Sequence, residues 1–446
     1  MKHATVDFSK VTGKIKPMHA VNNSPFGNAR GLGTMTAFKE AGFPYARNHD
    51  AAHYSEYGGS HAHDVLNIFP DFDADVNDPA NYDFDLTDKT IQDTEDAGCR
   101  MFYRLGSKIE HESKKYQTKP PKDFKKWAQI CEHIIAHTCY GWANGHRFDI
   151  EYWEIWNEAD GFNADGTKAC WQGTMEQFID FFEVAAKHLK ACYPEKKIGG
   201  PAYTGEPYSW GDIEQFIVEA GKRRIPLDFF SWHGYATDPH HYERSVARVR
   251  ELLDANGFEK TELILNEWNY VKGWVHEDML ESYRTIHNEK GAAFVAASVL
   301  TAQKTPMDMF MYYDAAPSSA YTGIFEPWTF KCQKPYYALW QFNKLYQLKK
   351  ELFTSTDSEE IYIGAAGDEG NLAIQLAYFS DVPAEEETVE LAFRGLAQPT
   401  EFQTLLVDKD HTNEPLRSDI CTVSEGKLYL RLRPNSVVLI TGSPVR

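Results

Sequence analysis

The sequence lacks any long apolar run and any excess of basic residues. No stretch approaches the ~20 consecutive apolar residues of a membrane-spanning helix, and residues 1–17 are polar and mixed, unlike the apolar core of a secretion signal. The 46 Lys and Arg are outnumbered by 65 Asp and Glu, which gives a formal net charge of −19. This balance argues against nucleic acid or a membrane surface as a partner. We therefore expect a soluble, cytoplasmic protein, with a homo-oligomer left open.

Paired cysteines and phosphate-binding glycine motifs are also missing. The seven cysteines are odd in number and include no Cys-x-x-Cys pair, so we expect reduced, buried thiols. The glycine-rich stretch Gly27–Gly33 does not have the Gly-x-Gly-x-x-Gly spacing of a dinucleotide site. His61 and His63 belong to a segment that we interpret as a polar loop rather than a metal site. We expect neither a metal nor a cofactor.

The chain does contain an alternation of short apolar strands with amphipathic helices. Eight strands are predicted, at Met18–Asn22, Phe43–His49, Cys99–Leu105, Ile150–Trp156, Lys197–Tyr203, Leu227–Tyr235, Glu262–Trp268 and Asp308–Asp314. Eight strands in alternation with helices predict an α/β fold, a (β/α)8 TIM barrel over residues 13–349. A doubly wound open sheet is the alternative, although it would require a glycine-rich phosphate turn after an early strand.

The helical segments carry apolar residues on one face and have recognisable ends. Thr174 and Gln177 form a capping-box pattern at the start of one helix. The predicted helices are Asp123–Trp142, Thr174–Ala191, His241–Ala255, Ser282–Lys304 and Pro335–Leu348. The long segment Tyr54–Asn81 follows the second strand, and we expect it to form a lid or rim, because loops of this length in a compact barrel are usually functional.

The pattern changes after about Lys350. From there to the end, short segments alternate apolar with polar residues, with turn residues between them and no helical periodicity. This pattern predicts a β-sandwich over residues 350–446. Residues 1–12, which precede the barrel, are a candidate additional strand of that domain.

Two of the barrel strands end in an Asn-Glu pair, Asn157-Glu158 and Asn266-Glu267. A carboxylate at the exit of a buried strand is costly if it serves packing alone. A surface position would explain one such pair, but two pairs in a barrel pattern favour catalysis, because the C-terminal strand ends converge on one pocket. Two converging carboxylates suit cleavage of a glycosidic bond, in which one protonates the leaving oxygen and the other attacks the anomeric carbon.

The residues around the first pair resemble a known family. The run Tyr152–Glu158 and the segment Cys170–Thr174, which leads into a helix, are similar to glycoside hydrolase family 39, a group of β-xylosidases, α-L-iduronidases and related retaining enzymes. Further similar segments follow the family's order: Arg47-x-His49, Asp78–Phe84, Phe102–Gly106, Ser231–Tyr235 and Phe325-Glu326. The resemblance implies a retaining exo-glycosidase that hydrolyses small oligosaccharides through a covalent glycosyl-enzyme.

The resemblance also implies roles for individual residues. Glu158 is expected to be the acid/base and Glu267 the nucleophile, which Arg47 would keep ionised. The other residues expected to bind substrate are His49, Asn157, His233, Tyr235, Trp268, Tyr313, Glu326 and Trp328. Structural roles are the alternative, such as a buried ion pair for Arg47. Trp268 follows the nucleophile directly, and it either floors the pocket or packs behind it.

After the eighth strand the sequence departs from the xylosidase pattern of that family. Tyr313 stands where the pattern has Trp, and Glu326 is followed by Pro327 instead of a second glutamate. The identity of the sugar is therefore open, whereas the residues of the hydrolytic reaction are present. An iduronate substrate would need a cation for its carboxylate, and Lys272 is the candidate.

Three other functions fit parts of the same pattern. An endo-acting polysaccharide hydrolase requires an open groove, whereas the long segment Tyr54–Asn81 favours a closed pocket. A transglycosidase uses the same chemistry and differs only in its acceptor and in water access. A non-catalytic sugar-binding barrel would have no need of both Glu158 and Glu267.

Overall fold

The computed structural model describes most of the chain, in the following ranges. They are residues 1–27, 33–49, 62–107, 118–162, 166–205, 209–317, 321–327, 329–368, 370–396, 400–416, 421–422 and 426–444. Across these ranges the chain forms a closed barrel of eight parallel strands and a separate ten-stranded sheet. The predicted (β/α)8 barrel with a C-terminal β domain is confirmed.

The barrel strands follow one another around the ring in sequence order, and the last pairs with the first. They are β2 (Ala20–Asn22), β3 (Tyr45–Arg47), β4 (Arg100–Leu105), β5 (Tyr152–Ile155), β6 (Lys197–Tyr203), β7 (Phe229–Ala236), β8 (Glu262–Tyr270) and β9 (Met309–Tyr312). Each of the eight strands that the sequence predicts overlaps one of these.

The barrel interior is divided into an apolar layer and a polar layer. The apolar layer consists of Ala20, Phe102, Tyr152, Phe229, Ile264, Met309 and Met311. Because alternate residues of a strand face the same side, the next inward positions toward the C-terminal ends form a second layer. This polar layer comprises Asn22, Arg47, Glu154, Ser231 and Asn266, all fully buried. Polar groups buried this deeply require hydrogen-bond partners, and they find them in one another.

Ten helices connect or follow the strands within the described part of the chain. They are α1 (Met35–Ala41), α2 (Val65–Ile68), α3 (Asp85–Asp96), α4 (Phe124–Tyr140), α5 (Met175–Cys192), α6 (Trp210–Arg223), α7 (His240–Asp254), α8 (His276–Thr285), α9 (Glu289–Gln303) and α10 (Lys334–Leu348). Short 3-10 turns occur at Pro79–Asn81 and Trp142–Asn144. No described helix has both the length and the apolar character needed to cross a membrane.

The prediction of one helix over Ser282–Lys304 is wrong, because this stretch belongs to two helices. Helix α8 ends at Thr285, and α9 begins at Glu289. The side chain of Asn288 accepts hydrogen bonds from the backbone N–H groups of Lys290 and Gly291. An asparagine that caps a new helix in this way outweighs the apolar periodicity that runs through both segments.

The C-terminal β domain is one continuous sheet that folds over on itself. Its strands are β1 (Lys2–Lys14), β10 (Lys350–Thr356), β11 (Ile361–Asp368), β12 (Asn371–Tyr378), β13 (Glu387–Arg394), β14 (Thr400–Val407), β15 (Thr412–Pro415), β16 (Cys421–Thr422), β17 (Lys427–Leu432) and β18 (Ser436–Pro444). Although β13 and β14 lie near opposite ends of the strand order, Phe393 and Phe402 stack with their ring centroids 4.9 Å apart. The two halves therefore enclose one core, as in a sandwich.

The first strand of the chain lies inside this C-terminal sheet. It pairs antiparallel with β10 and parallel with β13. The side chains of Ala4 and Val6 are part of the sheet's core. On its other side the sheet packs on the barrel through α9 and α10, where the Gln375 side chain donates to the backbone carbonyl of Ala338 at 2.8 Å.

None of the six cysteines whose side chains are described forms a disulfide, and four of them are buried. Burial raises the pKa of the Cys99 and Cys131 thiols, so these groups remain protonated and unreactive at neutral pH.

We predict that Val6→Asp destabilises the protein, whereas Val11→Asp on the same strand does not. Val6 is fully buried in the core of the sheet and Val11 is 57% exposed. An unpaired carboxylate at the buried position costs on the order of 3 kcal/mol. Thermal unfolding of both variants measures the difference, and equal melting temperatures would contradict the placement of the first strand.

Candidate active site

The two predicted glutamates meet at the C-terminal end of the barrel. Glu158 lies just beyond the end of β5, and Glu267 lies within the last part of β8. One carboxylate oxygen of each, together with a ring nitrogen of His233, falls in a group of atoms that all lie within 4.8 Å of one another. The convergence that the sequence predicted is therefore observed in the structure.

A backbone turn after β5 directs Glu158 into the barrel mouth. Trp156 and Glu158 both have left-handed backbone angles, with φ of 73° and 45°, a conformation that costs energy for residues other than glycine. Two hydrogen bonds secure the turn. The Trp156 ring N–H donates to the carbonyl of Cys170 at 3.1 Å, and the Glu158 N–H donates to the carbonyl of Ala202 at 2.9 Å. The tryptophan thus faces the helices while the glutamate faces the pocket.

A β-bulge in β8 brings Glu267 to the interior. The pairing of β8 with β7 and with β9 shifts register between Leu265 and Trp268. Without the shift, strand alternation would turn Glu267 outward, because Asn266 already faces inward. The extra residue allows Asn266 and Glu267 to face the interior together.

Arg47 lies at the centre of the polar groups below the pocket. Its Nε donates to Glu154 at 2.7 Å, and its Nη1 donates to Glu267 at 2.7 Å and to Asn22 at 3.2 Å. Its Nη2 donates to Asn157 at 2.6 Å. Burial alone would lower the pKa of Arg47, but the charges of Glu154 and Glu267 outweigh burial and raise that pKa. The guanidinium is therefore permanently charged.

Glu154 is a site residue that the sequence reasoning missed. It accepts hydrogen bonds from the Ser231 hydroxyl at 2.6 Å and the Asn266 amide at 2.5 Å, in addition to the one from Arg47. The available signal was a glutamate in the middle of an apolar strand, which needs a buried partner. Its role is to balance the charge of Arg47 and to hold it under the pocket.

Glu267 accepts two hydrogen bonds and has two histidine rings nearby. Besides Arg47, the Tyr235 hydroxyl donates to Glu267 at 2.8 Å, and the Nε2 atom of His233 lies 3.4 Å from a Glu267 oxygen. The Nε2 atom of His49 is 3.9 Å from the same oxygen. Hydrogen bonds and a fixed positive charge favour the ionised form of a carboxylate.

Glu158 has a different environment. Only 16% of its side chain is exposed, and a Glu158 oxygen lies 2.8 Å from Nδ1 of His233. Burial raises the pKa of Glu158 to about 7, against the opposing charge of Arg47. Burial also lowers the pKa of His233 to about 4, although the charge of Glu267 works in the other direction. The imidazole is therefore neutral, and Glu158 exchanges its proton near neutral pH.

Asp160 is a second carboxyl beside Glu158 that the sequence reasoning did not single out. It is 2% exposed. The Thr204 N–H and hydroxyl both donate to it, the hydroxyl at 2.7 Å. Burial raises the pKa of Asp160 to about 7, despite hydrogen bonds from Thr204 and Ser209, and the charge of Glu158 adds to the rise. Its place two residues after Glu158 was visible in the sequence, but its burial was not.

Trp268 packs behind the strand rather than flooring the pocket. Its ring is fully buried and stacks in parallel on Phe310, with 4.1 Å between ring centroids. Tyr242 of α7 and Phe294 of α9 surround it on the helix side. The bulge that turns Glu267 inward turns Trp268 outward, so of its two possible roles the structure favours packing.

Tyr313 belongs to a group of aromatic rings at the pocket rim. Its ring lies between His49, at 6.4 Å, and Tyr235, at 6.5 Å, with Tyr321 at 5.6 Å. Trp274, which the sequence reasoning missed, is 45% exposed and packs edge-on against Tyr235 at 5.2 Å. We call Tyr235, Tyr313, Tyr321 and Trp274 the aromatic wall. A tryptophan shortly after the strand that carries Glu267 was the signal for it.

The remaining predicted residues do not join this group. Glu326 is exposed, and its carboxylate accepts a hydrogen bond from Thr329. Lys272 is exposed and pairs with Glu281 at 2.6 Å. Trp328 lies outside the described residues, as do His61 and residues 54–61 of the predicted lid.

His49 is held by a residue of the neighbouring strand. The Arg104 side chain is fully buried, and its Nη2 donates to the His49 carbonyl at 2.6 Å and to Asp64 at 2.9 Å. These contacts fix the backbone of His49 beside Glu267, so Arg104 positions the site without joining it.

The group formed by Glu158, His233 and Glu267 also has the donor atoms of a metal site. However, Arg47 and Tyr235 already donate to Glu267, and a guanidinium beside the group repels a cation. The arrangement is better suited to proton transfer and nucleophilic attack on a polar organic substrate.

Comparison with known proteins supports the resemblance seen in the sequence. The profile described as Glycosyl hydrolases family 39 matches residues 53–363. A β-xylosidase of Geobacillus stearothermophilus is 24% identical over 253 residues, which is 54% of this chain and 45% of that protein. The chain thus spans less than half the length of this curated relative.

Solved structures resemble the whole chain. A crystal structure of a glucosidase from Croceicoccus marinus superposes with a TM-score of 0.81 at 21% identity, and 100% of each chain is covered. A monomeric β-xylosidase from Caulobacter crescentus gives a TM-score of 0.71 at 18% identity, again with 100% of each chain covered. At such identities these likenesses demonstrate the fold alone.

We predict that Asp160→Asn makes the protein's stability less sensitive to pH. The pKa of Asp160 in the folded state is raised to about 7, whereas in the unfolded state it is about 4. The contribution of this protonated carboxyl to folding stability is therefore fully present below about pH 4 and is lost as pH rises through 7. From pH 5 to pH 8.5, the free energy of unfolding of wild type should therefore fall by on the order of 2–4 kcal/mol more than that of the variant.

Urea unfolding at both pH values measures this difference. Asp96→Asn, at an exposed position on α3, is the matched control. A pH dependence of Asp160→Asn that equals that of wild type would contradict the assignment.

Proposed function

The chain belongs to Glycosyl hydrolases family 39, and on this premise we propose that it is a retaining exo-glycosidase with β-xylosidase-like activity on small oligosaccharides. The substrate is a glycoside, and the reaction is hydrolysis of its terminal glycosidic bond. The proposal rests on the geometry and the charges of the two glutamates.

The observation that carries the proposal is the short distance between the two carboxyls. An oxygen of Glu158 and an oxygen of Glu267 lie within 4.8 Å of each other. Retaining glycosidases have carboxyl groups about 5–5.5 Å apart, whereas inverting enzymes need about 6.5–9.5 Å to admit a water molecule. The short separation supports double displacement.

The environments of the two carboxyls support distinct roles. Glu267, which accepts hydrogen bonds from Arg47 and Tyr235, is the nucleophile. Its oxygen attacks the anomeric carbon and forms an ester as the bond to the leaving oxygen breaks. Glu158 transfers its proton to that oxygen. In the second step Glu158 takes a proton from water, whose oxygen attacks the anomeric carbon and releases Glu267 as a carboxylate.

Two neutral groups assist these steps. The Asn157 carbonyl oxygen accepts from Arg47, and its amide nitrogen is a buried atom with no hydrogen-bond partner in the described part of the chain. We assign this amide to the sugar hydroxyl next to the reacting carbon, where hydrogen bonds strengthen as positive charge develops. Neutral His233 touches both carboxyls and orients Glu158 without adding a charge.

The aromatic wall supports recognition of a flat sugar face. Exposed Trp274 extends this wall toward solvent, where the leaving sugar would stack. The pairing of Lys272 with Glu281 removes the one cation that we considered for a uronate carboxylate. The relatives named above are a xylosidase and a glucosidase, and a neutral pyranoside is therefore the substrate that we propose.

Chemical rescue tests the two assignments against each other. In Glu267→Gly, hydrolysis of the best aryl glycopyranoside should fall by at least about 10³-fold. Added azide should restore turnover and give a glycosyl azide of inverted configuration, because azide replaces the nucleophile. In Glu158→Ala, azide attacks the glycosyl-enzyme instead, and the product keeps the configuration of the substrate.

Glu267→Gln is the control that keeps the shape of the side chain. Undiminished activity in this variant would disprove the nucleophile assignment. A glycosyl azide of inverted configuration from Glu158→Ala, together with one of retained configuration from Glu267→Gly, would show that the two roles are exchanged.

The pH dependence of kcat/KM should report the proton on Glu158. With its pKa raised to about 7, the carboxyl is protonated below that pH, and activity should fall about tenfold per pH unit above it. The fall should be steep for alkyl or disaccharide substrates, whose leaving oxygen needs the proton. The fall should be shallow for dinitrophenyl glycosides, because dinitrophenolate leaves without a proton from the enzyme. Equal profiles for both substrate types would contradict Glu158 as the acid.

A further inference from the structure

A cluster of side chains of the metal-ligand type lies on elements that do not carry the two glutamates. It consists of Asp88 on α3, His137 near the end of α4, and His146 in the segment that leads into the start of β5. Nε2 of His137 is 3.2 and 3.0 Å from the two Asp88 oxygens. Nε2 of His146 is 3.1 Å from one of them. The proposed reaction uses none of these residues.

The local sequence brings the two histidines together. After α4, residues Gly141, Ala143 and Asn144 all take left-handed backbone angles, with φ of 83°, 54° and 58°, and the chain reverses its direction. The His146 N–H then donates to the His137 carbonyl at 2.8 Å. Gly145 permits this approach, since a Cβ there would lie 2.2 Å from that carbonyl oxygen.

The hydrogen bond at one nitrogen of His137 determines what its other nitrogen offers. Its Nδ1 lies 2.9 Å from the backbone carbonyl of Trp142, and because a carbonyl only accepts, Nδ1 must carry the hydrogen. In a neutral ring, Nε2 then presents a lone pair to the Asp88 carboxylate, and two acceptors face each other. A proton between the two groups or a metal ion resolves this contact.

The surroundings favour a metal ion. A carbonyl behind a histidine is the arrangement that fixes ligand tautomer and orientation in metal sites. His137 stacks on Phe84 at 3.6 Å and His146 stacks on Phe148 at 4.6 Å, so both rings are held in place. Tetrahedral zinc with bonds of about 2.0–2.1 Å separates its ligands by about 3.3 Å, close to the spacing observed.

We propose that Asp88, His137 and His146 bind a divalent transition-metal ion such as Zn²⁺, with the remaining position open to water. Two imidazole nitrogens and one carboxylate suit zinc better than calcium or magnesium, which prefer oxygen. His137 is buried, whereas His146 is 40% exposed at its side chain, so the ion reaches the cluster from solvent. It would tie α3 to the end of α4 and to the segment before β5.

A second cluster of the chain provides an internal comparison. Glu132, His188 and Cys192 also place their donor atoms within 4.8 Å of one another. There, His188 Nε2 lies 2.7 Å from Glu132 and 3.8 Å from the sulfur of Cys192. A metal bound there would have a sulfur ligand, which the proposed site lacks.

Calorimetric titration with ZnCl₂ of the full chain, freed of metal by a chelator, tests the proposal. Wild type and His188→Asn should bind with equal affinity and show an equal rise in melting temperature. His146→Phe retains the stack on Phe148 but removes a ligand, so its affinity should fall at least about tenfold. Asp88→Asn should behave likewise. Melting temperatures in chelator show whether each variant is folded.

Cobalt spectra distinguish the two clusters. Co²⁺ in the proposed site should give visible bands without a sulfur-to-cobalt charge-transfer band, and His146→Phe should lose those bands. Zinc binding that is unchanged in His146→Phe, binding that is lost in His188→Asn, or no rise in the melting temperature of wild type would each overturn the proposal. In those cases the cluster would be a group of hydrogen-bonded side chains without a metal ion.

Discussion

The burial of one guanidinium, that of Arg47, constrains both the barrel and the chemistry. A fully buried cation is tolerated only when its charge and its N–H groups are matched. The match comes from strands that are far apart in the sequence, through Asn22, Glu154, Asn157 and Glu267. These contacts align the strands around the interior, and the same contacts define the electrostatic surroundings of Glu267. A barrel that pairs the charge and the N–H groups of Arg47 has therefore also positioned most of the candidate active site.

The two glutamates differ because their partners differ. Glu267 accepts from a permanent cation and a tyrosine, whereas Glu158 contacts a neutral imidazole. Two carboxyls in one pocket can thus hold different protonation states at the same pH, which acid-assisted nucleophilic displacement requires. The neutrality of His233 is essential to this difference, since the positive charge of an imidazolium beside Glu158 would favour the ionised form of that carboxyl.

The sequence was sufficient to predict the barrel and its two glutamates, because strand periodicity and a carboxylate at a strand end are local patterns. Other features depend on contacts between distant segments. The bulge in β8 that places Trp268 outside the pocket has no local signature, and the burial of Asp160 depends on Thr204 of another loop. Glu326 matched a family motif, yet lies on the surface. Motifs thus located the chemistry, whereas tertiary contacts determine which neighbours take part.

The placement of β1 between β10 and β13 has a consequence for biosynthesis. Val6 pairs with Thr354 and Phe393, which leave the ribosome only after the entire barrel. At about 5–20 residues per second, the first strand waits on the order of 20–80 s for its partners, with its apolar face uncovered. The barrel can close during that time, but the β domain cannot. The apolar face of the first strand therefore stays exposed on the nascent chain until most of the β domain has been synthesised.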